Sequence, residues 1–403
     1  MRLIEGNDVR AAQAKLTGIT RVTPLEHSRV LGELCAAEVH LKCENLQRTG
    51  SFKLRGAYLR LLGLSAEQRA AGVVAASAGN HAQGVALAAQ LLGIHATVYM
   101  PERVALPKLA ATAGYGAEVV LRGAVLEESL AAAREHAERT GAEFIHPFDH
   151  PDIVAGQGTV GTEIMAQLPQ ARTVLVPTGG GGLVAGVAAA IKEEHPDVAV
   201  VAVQAEQAAA WPDSLTAGRP VRLREAQTMA DGIAVAEPGA LPYAHVEKQV
   251  DEVITVSEEQ LSRAMLLCLE RAKLVVEPAG VAAVAALLAH PDRFRGPIVS
   301  VLSGGNIDPL LLLQLVQHGM SSAGRYLSLR LRLPDRPGSL GGLVSLLGEL
   351  EANVIDIAHS RVTGALSVGE VDVEISLETR GPEHRERVTT RLEAAGYALY
   401  ERR

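Results

Sequence analysis

Several features that mark particular classes of protein are scarce or missing in this sequence. Its three cysteines, Cys35, Cys43 and Cys268, have no CxxC or other metal-ligand spacing, so they are predicted to be core residues in a reducing compartment. The net charge is −8 and no run of five like charges occurs, which argues against a basic tail for nucleic acid. The apolar stretch Leu183–Ile191 is too short to span a membrane, and the first residues lack the apolar region of a signal peptide. We therefore expect a cytoplasmic protein that binds neither nucleic acid nor membrane and has no metal site.

The length of 403 residues predicts two or three domains, and most of the chain has an α/β pattern. Short β-branched runs alternate with helical runs, which predicts a parallel sheet covered by helices on both faces. Sheets of this kind bind ligands at the carboxyl ends of their strands. The predicted strands are 73–77, 96–101, 118–123, 173–177, 198–206 and 297–306.

The pattern changes after residue 320. Residues 320–324 are a predicted linker, and residues 325–403 follow the order β-α-β-β-α-β of a ferredoxin-like unit. The alternation of polar and apolar residues over 372–377 fits an antiparallel sheet with one covered face. The chain is therefore predicted to carry a small second domain of about 80 residues.

Two clusters of polar residues lie where predicted helices begin. In the first, Lys53 stands between Phe52 and Leu54, and a lysine in a partly apolar pocket loses its charge more easily and can form a Schiff base with an aldehyde. The second, residues 77–84, has the composition of a carboxylate-binding helix N-terminus. Each cluster alone also has an ordinary interpretation, a surface lysine in one case and a helix N-cap in the other.

Two glycine-rich clusters follow predicted strands. Four consecutive glycines, 179–182, would let a loop close around a phosphate, and residues 303–306 (SGGN) place a serine where it could approach a ring nitrogen. The glycines do not form a P-loop, because no GxxxxGK[ST] is present. Gly180, Gly182 and Ala185 do satisfy a GxGxxA pattern, and Glu206 ends the next strand, so an NAD-dependent oxidoreductase is a genuine alternative.

The four clusters are more specific together than apart. SFKLRGA, SAGNHAQG, TGGGG and SGGN occur in one order over three-quarters of the chain, which resembles the fold type II pyridoxal-phosphate enzymes of the threonine and serine dehydratase branch. The resemblance implies a tryptophan synthase β-like fold with parallel sheets in two subdomains. The catalytic domain would cover residues 1–319, with a small subdomain inserted at about 45–150, and the enzyme would be a homodimer or homotetramer.

The resemblance also implies roles for individual residues. Lys53 would form the Schiff base with pyridoxal 5'-phosphate and remove the α-proton of the substrate. The residues expected to bind the cofactor are Phe52, Lys53, Asn80, Gly179, Gly180, Gly181, Gly182, Gly232, Glu277 and Ser303. The loop expected to accept the substrate carboxylate contains Ser77, Gly79, Asn80 and His81.

The implied reaction is the elimination of water and then ammonia from L-threonine, giving 2-oxobutanoate, with L-serine giving pyruvate. A serine dehydratase or a serine racemase on the same fold is the nearest alternative. Ala78 stands where related racemases carry an acid/base serine, which predicts elimination without appreciable racemisation. Racemases of this family also bind a cation near the position of Glu206, but Pro212 stands where a second carboxylate is expected. A different alternative is a catalytically inactive amino-acid sensor, against which the presence of Lys53 argues.

The C-terminal unit resembles an ACT domain, which implies regulation by an amino acid bound between paired copies. Isoleucine, valine and serine are the candidate effectors, and a dimerisation module without a ligand is the alternative. The expected regulatory residues are Asp335, Arg336, Pro337, Gly338, Ser339, Asn353 and Asp356.

Overall fold

The computed structural model describes residues 2–361 and 368–401, which fall into two compact units, Met1–Leu312 and Leu313–Arg403. A helix over Pro309–Ser322 crosses this boundary, so residues 320–322 of the expected linker complete a helix and residues 323–324 form a turn. The mostly apolar residues 310–316 continue the helical pattern past the end of the first unit, which explains why no extended linker follows residue 319. Among the described residues, no helix has the length and apolar character needed to cross a bilayer.

The first unit contains two sheets. Its strands are β1 (Leu25–His27), β2 (Val39–Cys43), β3 (Val73–Ala76), β4 (Ala96–Met100), β5 (Glu118–Leu121), β6 (Glu143–Phe144), β7 (Thr173–Pro177), β8 (Ala199–Ala205), β9 (Glu252–Val256) and β10 (Ile298–Leu302). The larger sheet has the order β1-β2-β10-β7-β8-β9, with β1 antiparallel to β2 and the other neighbours parallel. The smaller sheet is parallel, in the order β5-β4-β3-β6, and its residues lie within the range 45–150. The predicted α/β fold with parallel sheets is thus confirmed.

Helices connect these strands. They are α1 (Gly6–Leu16), α2 (Arg29–Cys35), α3 (Lys53–Leu62), α4 (Ala66–Ala71), α5 (Asn80–Leu92), α6 (Leu106–Gly114), α7 (Leu126–Thr140), α8 (Pro151–Gln167), α9 (Gly182–Lys192), α10 (Ala210–Ala217), α11 (Ala240–Gln249), α12 (Glu258–Leu267), α13 (Ala282–Ala289) and α14 (Pro309–Ser322). The strands predicted from the alternating pattern all form, whereas β1, β2, β6 and β9 were not predicted. β1 and β6 have three and two residues, which is too few to give a visible alternation of side chains.

Helix α8 packs against both α3 and α9, and glycines make these contacts close. A Cβ atom on Gly156 would lie 2.6 Å from the Cα atom of Gly56 in α3. One on Gly158 would lie 2.8 Å from the carbonyl oxygen of Gly186 in α9. Because side chains would not fit there, the backbones of the three helices approach closely. α8 thereby holds the helix that begins at Lys53 next to the helix that begins at Gly182.

A buried cluster of charged side chains joins α3, α8 and β2. Arg55 donates to Glu163 Oε1 at 2.7 Å and to both carboxylate oxygens of Glu44 at 2.8 and 2.9 Å. Lys42 donates to Glu163 Oε2 at 2.6 Å and to the carbonyl oxygen of Thr23 at 2.9 Å. The side chains of these two cations and two anions are at most 6% exposed. The charges balance, which is what makes their burial tolerable.

The second unit has the predicted β-α-β-β-α-β order. Its elements are β11 (Tyr326–Pro334), α15 (Ser339–Glu349), β12 (Asn353–Ser360), β13 (Glu370–Glu378), α16 (Pro382–Ala394) and β14 (Leu399–Glu401). They form an antiparallel sheet in the order β12-β13-β11-β14. Alternate residues of β11 and β13 are buried beneath the helices, as the alternation in the sequence predicted. The predicted unit also includes residues 362–367 and 402–403, which lie outside the described residues.

The charged cluster generates a prediction about stability. Glu163→Gln leaves Lys42 and Arg55 with one carboxylate between them, so we expect the free energy of unfolding to fall by about 3–5 kcal/mol. Trp211 is the single tryptophan and is buried in the first unit, so its fluorescence in a urea titration reports the unfolding of that unit.

The matched control is Glu194→Gln, which removes the charge of an exposed carboxylate paired with Arg10. We expect a much smaller shift of the urea midpoint for this variant. Equal midpoints for the two variants would contradict a stabilising role of the buried cluster.

Candidate active site

Lys53 is the first residue of α3, and its amine lies beside a backbone carbonyl and an aromatic ring. The Nζ atom donates a hydrogen bond to the carbonyl oxygen of Pro147 at 3.0 Å and lies 5.1 Å from the centre of the Phe52 ring. Burial lowers the pKa of Lys53 to about 8 from an ordinary value of 10.5, and the carboxylate of Glu277 opposes this shift. Both the charged and the neutral form of the amine are therefore present near neutral pH.

The segment that carries Lys53 runs beside the end of β10. The amide of Phe52 donates to the carbonyl oxygen of Ser303 at 3.3 Å, and Ser51 forms an antiparallel bridge with Gly304. Ser303 is 5% exposed and directly follows the buried strand. The structure thus brings Phe52, Lys53 and Ser303 together, although Lys53 and Ser303 are 250 positions apart in the chain.

The four glycines 179–182 connect β7 to α9 in a tightly enclosed turn. A Cβ atom on Gly180 would lie 2.5 Å from ring carbons of Phe148, and one on Gly181, whose φ is +96°, would overlap the ring of Trp211. The indole nitrogen of Trp211 also donates to the carbonyl oxygen of Gly179 at 2.7 Å. The first turn of a helix has N–H groups without acceptors inside the helix, and these favour an anion. Glycine is therefore required here, and the loop has the donors that a phosphate needs.

Asn80, Gly232 and Glu277 converge from three parts of the chain. Asn80 Nδ2 donates to Glu277 Oε1 at 2.5 Å. A Cβ atom on Gly232 would lie 3.9 Å from Glu277 Oε1 and 4.0 Å from Asn80 Nδ2. Burial, and next the charge of Asp231, raise the pKa of Glu277 to about 7, while the hydrogen bond from Asn80 opposes this rise. Glu277 is thus a second group that titrates near neutral pH.

The residues expected to accept a carboxylate lie between β3 and α5. The amide of Gly79 donates to Ser77 Oγ at 3.2 Å, and Asn80 is the first residue of α5. The side chain of His81 is turned inward, because its Nε2–H donates to the carbonyl oxygen of Ile145 at 2.9 Å. Burial, and next the charge of Lys53, lower the pKa of His81 to about 3, so the ring is neutral. His81 therefore supports the loop with its side chain and can offer a ligand its backbone only.

Sequence reasoning missed the segment 145–150, which lines this site. Pro147 accepts the hydrogen bond from Lys53, and Phe148 packs against Gly180. Asp149 accepts hydrogen bonds from the first two amides of α11, at 2.9 and 3.0 Å. The position of this segment could have predicted its place in the site, because it joins a strand to a helix in an α/β unit. Its composition alone carries no sign of that role.

The residues expected to regulate the protein are divided along the sheet of the second unit. The segment 335–339 joins β11 to α15, and Asp335 pairs with Arg361 at 3.2 Å. On the neighbouring strand β13, Asn353 is opposite Glu378. Pro334, which directly precedes the 335–339 segment, is opposite Glu370 on the same strand. These two positions lie eight residues apart on β13, or roughly 27 Å at the usual rise per residue. One copy of the chain therefore does not bring the 335–339 segment and Asn353 together.

Among the described residues, no three His, Cys, Asp or Glu side chains are arranged to hold a metal ion. Glu206, which follows the GxGxxA glycines in the dinucleotide alternative and lies near the cation position of racemases, is the first residue of a short helical turn after β8.

Known proteins resemble this chain in sequence and in fold. The family model for pyridoxal-phosphate-dependent enzymes matches residues 16–304. The chain is 45% identical to an L-threonine ammonia-lyase of Thermotoga maritima over 98% of its own length and 99% of that protein. Among solved structures, a threonine deaminase of T.th. gives a TM-score of 0.72 at 44% identity, covering 75% of this chain and 99% of that one. Maize serine racemase gives a TM-score of 0.74 at 34% identity, covering 78% of this chain and 97% of that one.

The matched residues 16–304 include Lys53, residues 77–81, the four glycines and Ser303, and the match to the Thermotoga protein continues through the second unit. An NAD-dependent oxidoreductase would explain the glycines but would leave Lys53, Asn80 and Ser303 without a role. This chain belongs to the family of pyridoxal-phosphate-dependent enzymes.

Proposed function

We propose that this protein is an L-threonine ammonia-lyase that converts L-threonine to 2-oxobutanoate and ammonia, and that it also converts L-serine to pyruvate. The observation that carries the proposal is the convergence of Lys53, Asn80, Ser303 and the four glycines at the carboxyl ends of β3, β7 and β10. The name of the Thermotoga relative, which is 45% identical over almost the full length, supports threonine as the substrate.

The residues present fit pyridoxal phosphate. The loop 179–182, where side chains would overlap Phe148 and Trp211, would hold the phosphate with backbone amides. Lys53 would bind the aldehyde carbon, Asn80 the ring hydroxyl, and Ser303 the ring nitrogen. When bound, the cofactor supplies a carbonyl for the substrate amine and a ring that withdraws electrons from Cα.

The protein's own groups then position the substrate and move its proton. The N-terminus of α5, at residues 77–81, favours a carboxylate through its amides and dipole. Lys53 Nζ accepts the α-proton, which requires a neutral amine, and its lowered pKa makes that form accessible near neutral pH. Ser303 would offer the ring nitrogen a hydroxyl rather than a carboxylate, so it would not hold a proton there, and this would favour elimination over reactions that need a long-lived carbanion.

Serine racemase is the second candidate, because maize serine racemase is 34% identical over 78% of this chain. A racemase must deliver a proton to the face opposite the lysine. Ala78, in the turn before α5, has a methyl group and no proton to give. We therefore propose elimination without appreciable racemisation.

We also propose that the second unit is an ACT domain that regulates the enzyme. Because Asp335 and Asn353 lie at opposite ends of the sheet in one copy, an effector between them requires a second copy of the chain. This is the reason to expect a homodimer or homotetramer. Isoleucine, valine and serine are the effectors to test. The three unpaired, buried cysteines fit a cytoplasmic location.

The first prediction concerns Lys53. Purified protein given L-threonine should release 2-oxobutanoate, and Lys53→Ala should lower that rate at least about 10³-fold, because the variant lacks the amine proposed to accept the α-proton. The product is measured by coupled reduction of the 2-oxo acid. Lys248→Ala, at an exposed lysine, is the control and should leave the rate unchanged. A Lys53→Ala variant with normal activity would refute the assignment of this lysine.

The second prediction concerns the pKa of Lys53. In cofactor-free protein, acylation of Lys53 should increase through pH about 8, because the neutral amine forms as the pH rises past its lowered pKa. Mass spectrometry of the labelled peptide gives the midpoint. Glu277→Gln removes the carboxylate that favours the charged amine, so its midpoint should be lower. A midpoint near the ordinary value of 10.5 would contradict the effect of burial.

The third prediction concerns regulation. At least one of isoleucine, valine and serine should change the rate with L-threonine, and Asp335→Asn should raise the half-effect concentration about tenfold by removing a charged partner. Glu383→Gln, at an exposed position at the start of α16, is the control and should not change it. If none of the three amino acids changes the rate, the effector proposal fails.

A further inference from the structure

A chain of hydrogen bonds links Asn306 to the centre of the site. Asn306 Nδ2 donates to the carbonyl oxygen of Thr49 at 2.7 Å and to Asn80 Oδ1 at 2.7 Å. Asn80 Nδ2 in turn donates to Glu277 Oε1 at 2.5 Å. The chain therefore connects the residues before Lys53, the loop after β10, the start of α5 and the buried carboxylate.

The backbone carbonyl at one end decides the orientation of both amides. A carbonyl oxygen accepts hydrogen bonds only, so the atom of Asn306 that faces Thr49 must be the nitrogen. Both hydrogens of that nitrogen are then used, and the atom of Asn80 that faces Asn306 must be its oxygen. The two ends of an amide are otherwise hard to distinguish, and here the network distinguishes them.

The orientation of Asn80 determines what it offers to a ligand. Among the described residues, Glu277 is the acceptor of Asn80 Nδ2, and this nitrogen has a second hydrogen. If the amide were inverted, its oxygen would face Glu277 and it would offer the site no N–H. The ring hydroxyl that Asn80 is proposed to contact would then lose its donor.

The packing around Asn306 holds its amide in place. A Cβ atom on Gly50 would overlap Asn306 Oδ1, and the φ of Gly50 is +70°, where glycine is favoured. The amide of Gly305 donates to the carbonyl oxygen of Gly50 at 2.8 Å, which fixes the two loops to each other. Asn306 therefore has little freedom to rotate away from Thr49.

We propose that Asn306 is a positioning residue, which holds the Asn80 amide with its nitrogen toward Glu277 and the cofactor. The inference rests on the proposed function, because it takes Asn80 to face the cofactor. Its simplest alternative is that Asn306 only ties two loops together and affects stability alone.

The two roles differ in their effect on Glu277. The N–H of Asn80 favours the ionised carboxylate, as do Lys108 and Lys53, whereas burial and Asp231 favour the neutral acid. Inverting the Asn80 amide would remove a donor and place an oxygen against the carboxylate. The pKa of Glu277 would then rise above its present value, which a loss of stability alone would not cause.

The test compares Asn306→Asp with Asn306→Ala. The aspartate is the same size as asparagine but has oxygens facing Thr49 and Asn80, so it favours the inverted Asn80 amide. The alanine only removes the hydrogen bond to Asn80 and leaves that amide free to take either orientation. Gln47→Glu is the matched control, because it removes another amide donor, at 2.8 Å from the carbonyl oxygen of Arg21, outside this chain of hydrogen bonds. The readouts are the dissociation constant of pyridoxal phosphate from cofactor-free enzyme and the pH dependence of the bound cofactor's visible absorbance.

We expect Asn306→Asp to bind the cofactor about tenfold more weakly than the wild type, Asn306→Ala to be intermediate, and Gln47→Glu to be unchanged. The visible absorbance of the cofactor bound to Asn306→Asp should titrate at a higher pH than that of the cofactor bound to the wild type. In a background of Asn80→Ala, the change Asn306→Ala should have little further effect on the dissociation constant, because its action passes through Asn80.

Additive effects of Asn306→Ala and Asn80→Ala, or unchanged affinity and titration in Asn306→Asp, would overturn the positioning role. A wild-type protein that binds the cofactor but does not act on threonine would refute the proposed substrate and leave this inference testable. A wild-type protein that binds no cofactor would refute both.

Discussion

The buried, charge-balanced cluster of Arg55, Lys42, Glu44 and Glu163 is the constraint on which the site depends. Bare charges in a protein interior are strongly unfavourable, so each member is tolerated only while the others stay in place. The cluster therefore enforces one relative position of α3, α8 and β2. Lys53 lies two residues before Arg55 on α3, so the position of its amine is tied to this arrangement.

Around this core, the site is assembled from the ends of strands that are far apart in sequence. β3, β7 and β10 lead into residues 77–81, the four glycines and Ser303, respectively. α8 determines how close two of these regions can come, because Gly156 and Gly158 let α3 and α9 pack against it with their backbones in contact. The same enclosure acts in opposite directions on two groups, lowering the pKa of Lys53 and raising that of Glu277. Both groups thereby come within reach of neutral pH, where a proton can be taken up or released.

The second unit is built on an antiparallel sheet rather than on parallel sheets. Its antiparallel sheet buries one face under α15 and α16, while the segment 335–339 and Asn353 end up at opposite ends of the strands. A ligand site that used both would need two chains, so any regulation through this unit would be coupled to assembly. The match to the Thermotoga enzyme extends through this unit, which indicates that the two-unit layout is shared with that relative.

The sequence by itself determined the fold class, the two-unit order and the family, because these depend on local periodicity and on contiguous motifs. The alternation of strands and helices, SFKLRGA around Lys53 and the four glycines are all legible without a structure. The roles assigned to the individual site residues stay predictions. Only the tertiary structure decided that His81 turns inward, that Pro147 meets Lys53, and that Asn306 orients Asn80. These contacts join residues that are 64 to 226 positions apart in the chain. Two of the acceptors are backbone carbonyl oxygens, which every residue has, so the sequence does not single them out.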